Sequence, residues 1–436
     1  MNRIPQVLAL VQAFSEVFTK PTLELFANIF VGWVLCPWRR FVTSIYQLGD
    51  PKREHAHDAY HRFFSGGTWC RARFFGVLAK LVVAALVASN ILHLLGDDTV
   101  HKKTGRKVDG AKSCRDAVRS TKNRVVYVWG LQIVLLCLKV HPPWGGEPLA
   151  LPINMRLYRK RPTKSSGKSV LDLMKEMLVE FREWFPTHRI YFTADGFYAP
   201  LAKDLPEGVF LISRLRHDAA LFKKVKPPKP GMPKKKGPPR KRGDRLPTPA
   251  EIAKSAKDWK PVTTYERGKE KIRLTVTRLV VWHSVLPGRY VKLVISRDPE
   301  GKEKDDFFFT TDLELTPGST VSFFSDRWPI EDTFRNGKQF LGIEQPQSWK
   351  GPGPENVAAM GYAIYSLVWT WFIANGDKTR FPNRPWYETK ARPSFPDALA
   401  GIRRLIWGYR IGQSVPQNAQ LLDFTELAME CLARAA

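Results

Sequence analysis

The spacing of apolar residues divides the chain into a helical beginning, a mixed middle and a helical end. Residues 1–88 contain apolar segments of helical length, separated by Pro5, Pro21, Pro37 and Pro51, and they predict a helical N-terminal domain. Runs rich in β-branched and aliphatic residues follow, and they predict strands at 91–95, 125–138 and 148–157. Because these runs are close in sequence, they predict an antiparallel meander.

One helical pattern and two strand patterns come next. Val170, Leu173, Met177 and Phe181 have the spacing of a single helical face. Compact strand-like runs follow at 188–194 and 208–214. Three strands, a helix and two further strands are the order expected of a mixed sheet with helices on its faces, so the pattern predicts an α/β fold.

Residues 205–320 predict a β-rich insertion. Apolar and polar residues alternate at 272–276 and at 291–295, and residues 307–310 add a third strand candidate. Helical patterns return at about residue 326 and at 355–375. We therefore divide the chain into the N-terminal domain at 1–88, a core in two parts, the insertion at 205–320, and a helical C-terminal region. The two parts of the core are 89–204 and 321–378, and the C-terminal region is 379–436.

The charge of the chain indicates a polyanionic partner. The formal net charge is +28 at pH 7 and the isoelectric point is near 10.0, which favours nucleic acid over an anionic membrane surface. Residues 223–245 are rich in Lys, Arg and Pro and predict a basic loop that touches phosphate. The expected phosphate contacts in this loop are Lys234, Lys235, Lys236, Arg240, Lys241 and Arg242.

Cysteine usage and hydropathy predict a cytoplasmic protein without a membrane span. The five cysteines include no C-x-x-C pair, so neither a disulfide framework nor a zinc module is indicated. The longest apolar run, at 74–95, is interrupted by Lys80, Asn90 and His93. This run predicts a buried helix followed by a strand.

Three acidic residues are candidates for metal-dependent chemistry. Asp98 and Asp195 come at the ends of predicted strands, and adjacent strand ends in a mixed sheet bring such groups close together. Two carboxylates placed there would repel each other unless cations lay between them. Glu331 opens a predicted helix, which the side chain of Ser325 or Asp326 can cap.

The residues around Glu331 suit a site where a metal ion meets phosphate. Separations of four and seven residues place Arg327, Glu331 and Lys338 on one helical face. The carboxylate can bind the ion while the two cations hold the polyanion. The alternatives are ordinary turn roles for the two aspartates and a surface salt-bridge lattice around Glu331.

This block resembles the Y-x2-R-x3-E-x6-K signature of bacterial insertion-sequence transposases, a group within the DDE superfamily. Phe324, Arg327, Glu331 and Lys338 occupy the four signature positions, with Phe in place of Tyr. The D-D-T around Asp98 and the A-D-G-x-Y that follows Thr193 are also similar to this group. The resemblance covers residues 91–371.

The resemblance implies a ribonuclease H-like mixed sheet flanked by helices, with a β-rich insertion and a helical N-terminal domain that binds DNA. It implies that Asp98, Asp195 and Glu331 hold two Mg²⁺ ions, with Mn²⁺ as a substitute, and that Asp97 is the fallback for the first ligand. The residues that it implies in DNA contact are Phe324, Arg327, Arg335 and Lys338. Trp282 is a candidate for stacking on a flipped base, with a place in the core as the alternative.

The implied partner is double-stranded DNA, both the terminal inverted repeats of an element and the target. A homodimer on DNA and a cut-and-paste reaction, through hairpin ends or another route, follow from the same resemblance. Two alternatives stay open, a catalytically silent DNA-binding relative and a structure-specific nuclease that joins nothing.

Overall fold

The computed structural model describes most of the chain. The described residues are 5–116, 119–121, 123–160, 163, 166–225, 242–379, 390–412 and 428–434. Five of the basic residues that the sequence predicts as phosphate contacts lie outside these ranges. They are Lys234, Lys235, Lys236, Arg240 and Lys241.

The N-terminal region is helical, as predicted. Its helices are α1 Pro5–Gln12, α2 Lys20–Leu35, α3 Val42–Gly49, α4 His57–Ser65 and α5 Arg71–Leu86, with a 3-10 turn after α1. Buried aromatic rings join them, and Phe26 lies 4.9 Å from Phe14 and 5.9 Å from Phe74 between ring centroids. Helices α2 and α3 cross closely because Gly32 has no side chain, and a Cβ there would lie 2.0 Å from the carbonyl oxygen of Ile45.

In the described part of the chain, a ten-stranded mixed sheet forms the centre of the molecule. Its strands are β1 Ile91–Lys102, β2 Lys112–Arg115, β3 Tyr127–Val140, β4 Leu149–Tyr158, β5 Arg189–Ala194, β6 Val209–Arg214, β7 Lys260–Glu266, β8 Lys269–Val280, β9 Val291–Arg297 and β10 Asp306–Thr310. The order is β2-β3-β1-β5-β6-β10-β9-β8-β7, and β4 also pairs with β3. Strands β1, β5 and β6 are parallel neighbours, and the other pairs are antiparallel. The mixed sheet and its flanking helices confirm the predicted α/β class.

The β-rich segment between β6 and α8 extends the central sheet and does not build a sheet of its own. Strand β10 pairs antiparallel with β6, and β9, β8 and β7 follow outward in turn. The sequence pattern predicted β8, β9 and β10 but missed β2 and β7, which are short or carry few apolar residues.

The helices that follow in the described part of the chain are α6 Val170–Trp184, α7 Pro249–Ser255, α8 Pro317–Ser325, α9 Pro329–Phe340, α10 Gly353–Asn375 and α11 Phe395–Gly412, and residues 428–434 are also helical. Helices α6, α8, α9 and α10 pack on the sheet, and α11 packs on α10 and α2. Ser169 and Asp172 close a capping box at the start of α6, where the amphipathic pattern begins. Among the described residues, α10 alone has the length and composition of a membrane span, but 89% of its most apolar window is buried inside the protein. It is therefore a core helix, packed on β4 and α5.

A buried ion pair connects the centre of the sheet to the turn before α9. The ammonium of Lys139 on β3 lies 2.9 Å from the carboxylate of Asp326, and the two side chains are 3% and 7% exposed. A charged group in such a place requires its partner, because it has lost its water. The pair therefore fixes the position of the turn at residues 326–328.

We expect the substitution Lys139→Met to destabilise the protein strongly. It leaves the Asp326 carboxylate buried without its cation, which costs about 3–5 kcal/mol. The matched control is Lys302→Met, which breaks an ion pair with Glu300 whose side chains are 78% and 66% exposed. Urea unfolding of the full chain measures both, and equal effects of the two substitutions would contradict the role of the buried pair.

Candidate active site

Two aspartates on β1 and one after β5 approach each other where the two parallel strands part. The last pair in the β1–β5 register is Gly96 with Ala194. Beyond it β5 ends, and the carboxylate of Asp195 accepts a hydrogen bond of 3.0 Å from the backbone N–H of Phe197. Strand β1 continues to Lys102 because its pairing with β3 continues. Asp98 therefore lies inside a strand and not at its end, which corrects the sequence prediction.

Asp97 and Asp98 point to opposite faces of the sheet, because side chains alternate along a strand. Asp97 contacts Arg327, which precedes α9. Asp98 accepts a hydrogen bond of 2.7 Å from the amide of Gln132 and one of 3.4 Å from the hydroxyl of Tyr198. Asp97 therefore lies on the same face of β1 as helix α9, which carries Glu331.

Arg327 connects Asp97 to Glu331. One guanidinium nitrogen donates to Asp97 over 2.7 Å, and another donates to Glu331 over 3.3 Å. The side chain of Arg327 is 15% exposed, whereas that of Glu331 is 39% exposed. The arginine therefore stands between an acid of the sheet and the acid of α9.

Burial and mutual repulsion make the β1 carboxyl groups hard to ionise. The pKa of Asp97 is raised to about 7, mainly by burial and also by the charges of Asp195 and Asp98, while Arg327 opposes the rise. Burial and the charge of Asp195 also raise the pKa of Asp98, against the hydrogen bond from Gln132. A cation placed among these groups would favour their ionised forms.

The donor atoms suit a hard divalent ion in kind, since carboxylate oxygens are the ligands that Mg²⁺ prefers. Within the described ranges, however, no three His, Cys, Asp or Glu residues are gathered closely enough to hold a metal ion. Arg327 contributes to keeping the carboxylates of Asp97 and Glu331 apart, because its guanidinium lies between them and binds one oxygen of each.

Helix α9, which carries Glu331, begins without a side-chain cap and is anchored to the sheet farther along. Trp328 occupies the position before the first turn without a side-chain cap, and Asp326 is engaged with Lys139. The expected cap by Ser325 or Asp326 is therefore wrong, since Ser325 ends the preceding helix α8. Farther along α9, the hydroxyl of Thr333 donates to the carbonyl oxygen of Ala150 over 2.6 Å.

The end of α9 is held by the N-terminal region. The guanidinium of Arg40 donates to the carbonyl oxygen of Phe340 over 2.6 Å, and the indole N–H of Trp33 donates to that of Leu341 over 2.8 Å. These donors satisfy carbonyl groups that a helix end leaves without partners. These anchors were not predicted from the sequence. The ion pair of Lys139 with Asp326 was not predicted either, although a lone lysine in the apolar strand β3 indicates a buried charge with a partner.

Two of the predicted DNA contacts on α9 are engaged within the protein. The ammonium of Lys338 donates to the Thr99 hydroxyl over 3.0 Å and to the carbonyl oxygen of Val100 over 2.9 Å, so it braces α9 against β1. Arg335 is 60% exposed and forms an ion pair with Asp332 over 2.7 Å. Of the two, Arg335 is the one that faces solvent.

The aromatic candidates are placed differently from each other. Trp282 is 8% exposed and packs edge-on against Phe309 at 5.2 Å, so its place is in the core and it offers little surface for a base. Phe324 packs on Phe308 at 4.8 Å, and the guanidinium of Arg214 lies 5.4 Å from its ring. Arg242, the described member of the predicted basic loop contacts, is exposed and lies over the ring of Phe222.

A large open groove is lined by Asp195 and Arg327 together with residues of the sheet extension. Its volume is about 1880 Å³. Acidic residues line it too, but cations outnumber them. The cations besides Arg327 are Arg214, Arg216, Arg267, Lys269, Lys271, Arg273, Arg297 and Lys304.

Two exposed aromatic rings are among the residues that line this groove. Phe197 and Trp328 are 53% and 42% exposed, and the guanidinium of Arg267 lies 4.6 Å from the ring of Trp328. Arg267 and Gly268 form the two-residue turn between β7 and β8, with φ of 52° and 72°. A Cβ on Gly268 would lie 2.4 Å from the backbone of Gly146, so this turn packs tightly on the turn after β3.

The fold and the carboxylates define a class of protein with a ribonuclease H-like mixed sheet and acids where its strands part. The family described as DDE superfamily endonuclease matches residues 13–271, more than half of the chain, and the protein belongs to this family. The match includes Asp97, Asp98 and Asp195 and ends before Glu331. No curated protein matches the sequence.

The raised pKa of Asp97 predicts a loss of stability as the pH rises. The folded chain keeps this proton up to a pH of about 7, whereas the ordinary pKa of the carboxyl group is 3.8. Between these values the folded state binds more protons than the unfolded state, so the free energy of unfolding falls as the pH increases. Below pH 3.8 the stabilisation that comes from the protonated Asp97 is fully present, and above a pH of about 7 it is lost.

We expect Asp97→Asn to reduce the difference in stability between pH 5 and pH 8 in buffer free of divalent ions, because it removes the titrating group. Denaturant unfolding at the two pH values measures this difference. The control is Asp109→Asn, whose carboxylate is 47% exposed and pairs with Arg159. An unchanged pH difference in Asp97→Asn would count against the burial of a protonated Asp97.

Proposed function

We propose that this DDE superfamily endonuclease is a DNA transposase, which cuts DNA at the ends of a mobile element and joins the 3′ ends to target DNA. The observation that carries the proposal is the meeting of acids with Arg327, which together with Asp195 lines the basic groove. Asp97, Asp98 and Asp195 surround the point where β1 and β5 part, and Arg327 connects that point to Glu331. The signature spacing of Arg327, Glu331 and Lys338 adds support.

The proposed metal ligands are Asp195, Glu331 and one aspartate of β1. Asp98 is the ligand that the sequence resemblance implies, and Asp97 is the alternative. The position of Asp97 on the same face as Glu331 supports Asp97. Two Mg²⁺ ions bound there, or Mn²⁺ in their place, would supply an activated nucleophile and stabilise the leaving 3′ oxygen.

Arg327 has a second task in this proposal. Its guanidinium donates to Asp97 and to Glu331 in the absence of metal, and it is planar and suited to bidentate contacts with phosphate. A metal ion held by these acids would leave the guanidinium free to contact the phosphate next to the cut. Trp328 and Phe197 offer exposed rings to a base at the same place.

The groove gives the DNA backbone a path away from the acids. The β7–β8 turn contributes Arg267 and Lys269, which are exposed and lie on the groove. We propose that duplex DNA follows this basic surface, with a homodimer holding two ends. A cytoplasmic location at the nucleoid fits this substrate.

The proposed ligands predict cleavage that depends on Mg²⁺. With DNA that carries the terminal repeats flanking the reading frame, we expect Asp195→Asn and Glu331→Gln to reduce cleavage by at least about a hundredfold, because each removes a metal ligand. Asp97→Asn and Asp98→Asn are compared in the same assay. The variant whose cleavage falls as far as that of Asp195→Asn and Glu331→Gln identifies the aspartate of β1 that binds the metal. Asp332→Asn, on the neighbouring position of α9, is the control.

The outcomes of this assay separate the alternatives. Cleavage by wild type and Glu331→Gln at equal rates would contradict the site. No cleavage by wild type in Mg²⁺ or Mn²⁺ would favour the silent DNA-binding relative. Cleavage without strand-transfer products would favour a nuclease that joins nothing.

The groove predicts DNA binding that depends on salt. We expect Arg267→Ala and Lys269→Ala to weaken binding to all duplex sequences alike and to reduce the slope of log K against log salt by about 0.9 for each lost phosphate contact. Fluorescence anisotropy at several salt concentrations measures the slope. Lys168→Ala, which removes an exposed cation paired with Glu176 beside α6, should leave the slope unchanged. A similar change in all three variants would indicate a general charge effect instead of a groove.

A further inference from the structure

Two histidines on α4 face solvent with their ring nitrogens in close contact. The Nε2 atoms of His57 and His61 are 3.2 Å apart, and both residues are exposed. Their separation by four residues puts them on the same face of the helix. The hydroxyl oxygen of Thr43, on α3, lies 3.3 Å from the Nε2 atom of His57.

This separation fits two ligands of one transition-metal ion. With metal–nitrogen bonds of about 2.0–2.1 Å, two imidazole nitrogens lie about 2.9 Å apart at a right angle and about 3.3 Å apart at the tetrahedral angle. The observed 3.2 Å falls between these values. The competing explanation is a hydrogen bond in which one imidazole N–H donates to the other ring.

Both rings are exposed and are therefore accessible to an ion from solvent. The nearby carboxylate of Asp58 lies 3.0 Å from the guanidinium of Arg62 and is held by it. Neutral imidazoles select Cu²⁺, Ni²⁺ or Zn²⁺ and not Mg²⁺.

We propose that His57 and His61 bind a divalent transition-metal ion at a site separate from the acids. The part of the chain that the structure describes has no cluster of three or more His, Cys, Asp or Glu around a possible ion. The pair therefore supplies two ligands, and oxygen atoms of water or of the Thr43 hydroxyl complete the coordination. An ion bound there connects α3 to α4 within the N-terminal region. This site does not depend on the proposed function.

Copper binding to the full chain tests the proposal. The protein, without an affinity tag, is treated with a chelator and then titrated with Cu²⁺ in excess Mg²⁺, which competes for the oxygen ligands of the acidic site. We expect one Cu²⁺ per chain, a paramagnetic resonance spectrum with two nitrogen ligands, and a rise in the thermal midpoint. A spectrum that shows only oxygen ligands, or no bound copper, would overturn the proposal.

Matched variants connect the signal to the two rings. We expect His57→Ala and His61→Ala each to reduce the affinity for Cu²⁺ at least about tenfold and to leave a single nitrogen in the spectrum. His217→Ala, which removes a histidine that is 72% exposed and lies 3.9 Å from Asp218, is the control and should bind as wild type does. Circular dichroism checks that each variant is folded. Unchanged copper binding in both α4 variants would overturn the proposal, and the contact between the two rings would then be a hydrogen bond only.

Discussion

The contact of Arg327 with Asp97 and Glu331 is the constraint on which the site depends. Three aspartates come close to one another where β1 and β5 part, and burial together with their mutual repulsion raises the pKa values of Asp97 and Asp98. Without a metal ion, the guanidinium of Arg327 is the positive group that contacts Asp97 and favours its ionised form. Its reach depends on the turn that carries it, and the buried pair of Lys139 and Asp326 holds that turn against the sheet.

The N-terminal region, the core and the insertion are separate in the sequence, but in the structure they come together around the turn at residues 326–328. The N-terminal region supplies Arg40 and Trp33 to the last carbonyl groups of α9, at the opposite end from Arg327. The insertion continues the sheet from β6 through β10 and brings its basic turn to Trp328. Both regions therefore contribute to the surroundings of Glu331, one by positioning its helix and the other by forming the wall of the groove.

Interactions over short sequence distances explain what could be predicted. Periods of 3.6 and 2 residues report which side of a helix or strand is buried, so α6, β5, β6, β8 and β9 were found within a few residues. The spacing of Arg327, Glu331 and Lys338 likewise depends only on one turn and one helix. Strand β7 was missed because its residues alternate weakly, and it is held by its partner β8.

The sequence by itself determined the α/β class, the helical start of the chain, its positive charge and the acids around which a site could form. Only the tertiary structure decided what each side chain contacts. Pairing with β3 extends β1 past Asp98, the packing of α9 on β1 turns Lys338 inward, and the core encloses Trp282. The physical reason is that these contacts join residues far apart in the chain, so their energies depend on strand order and helix packing, which local periodicity does not encode.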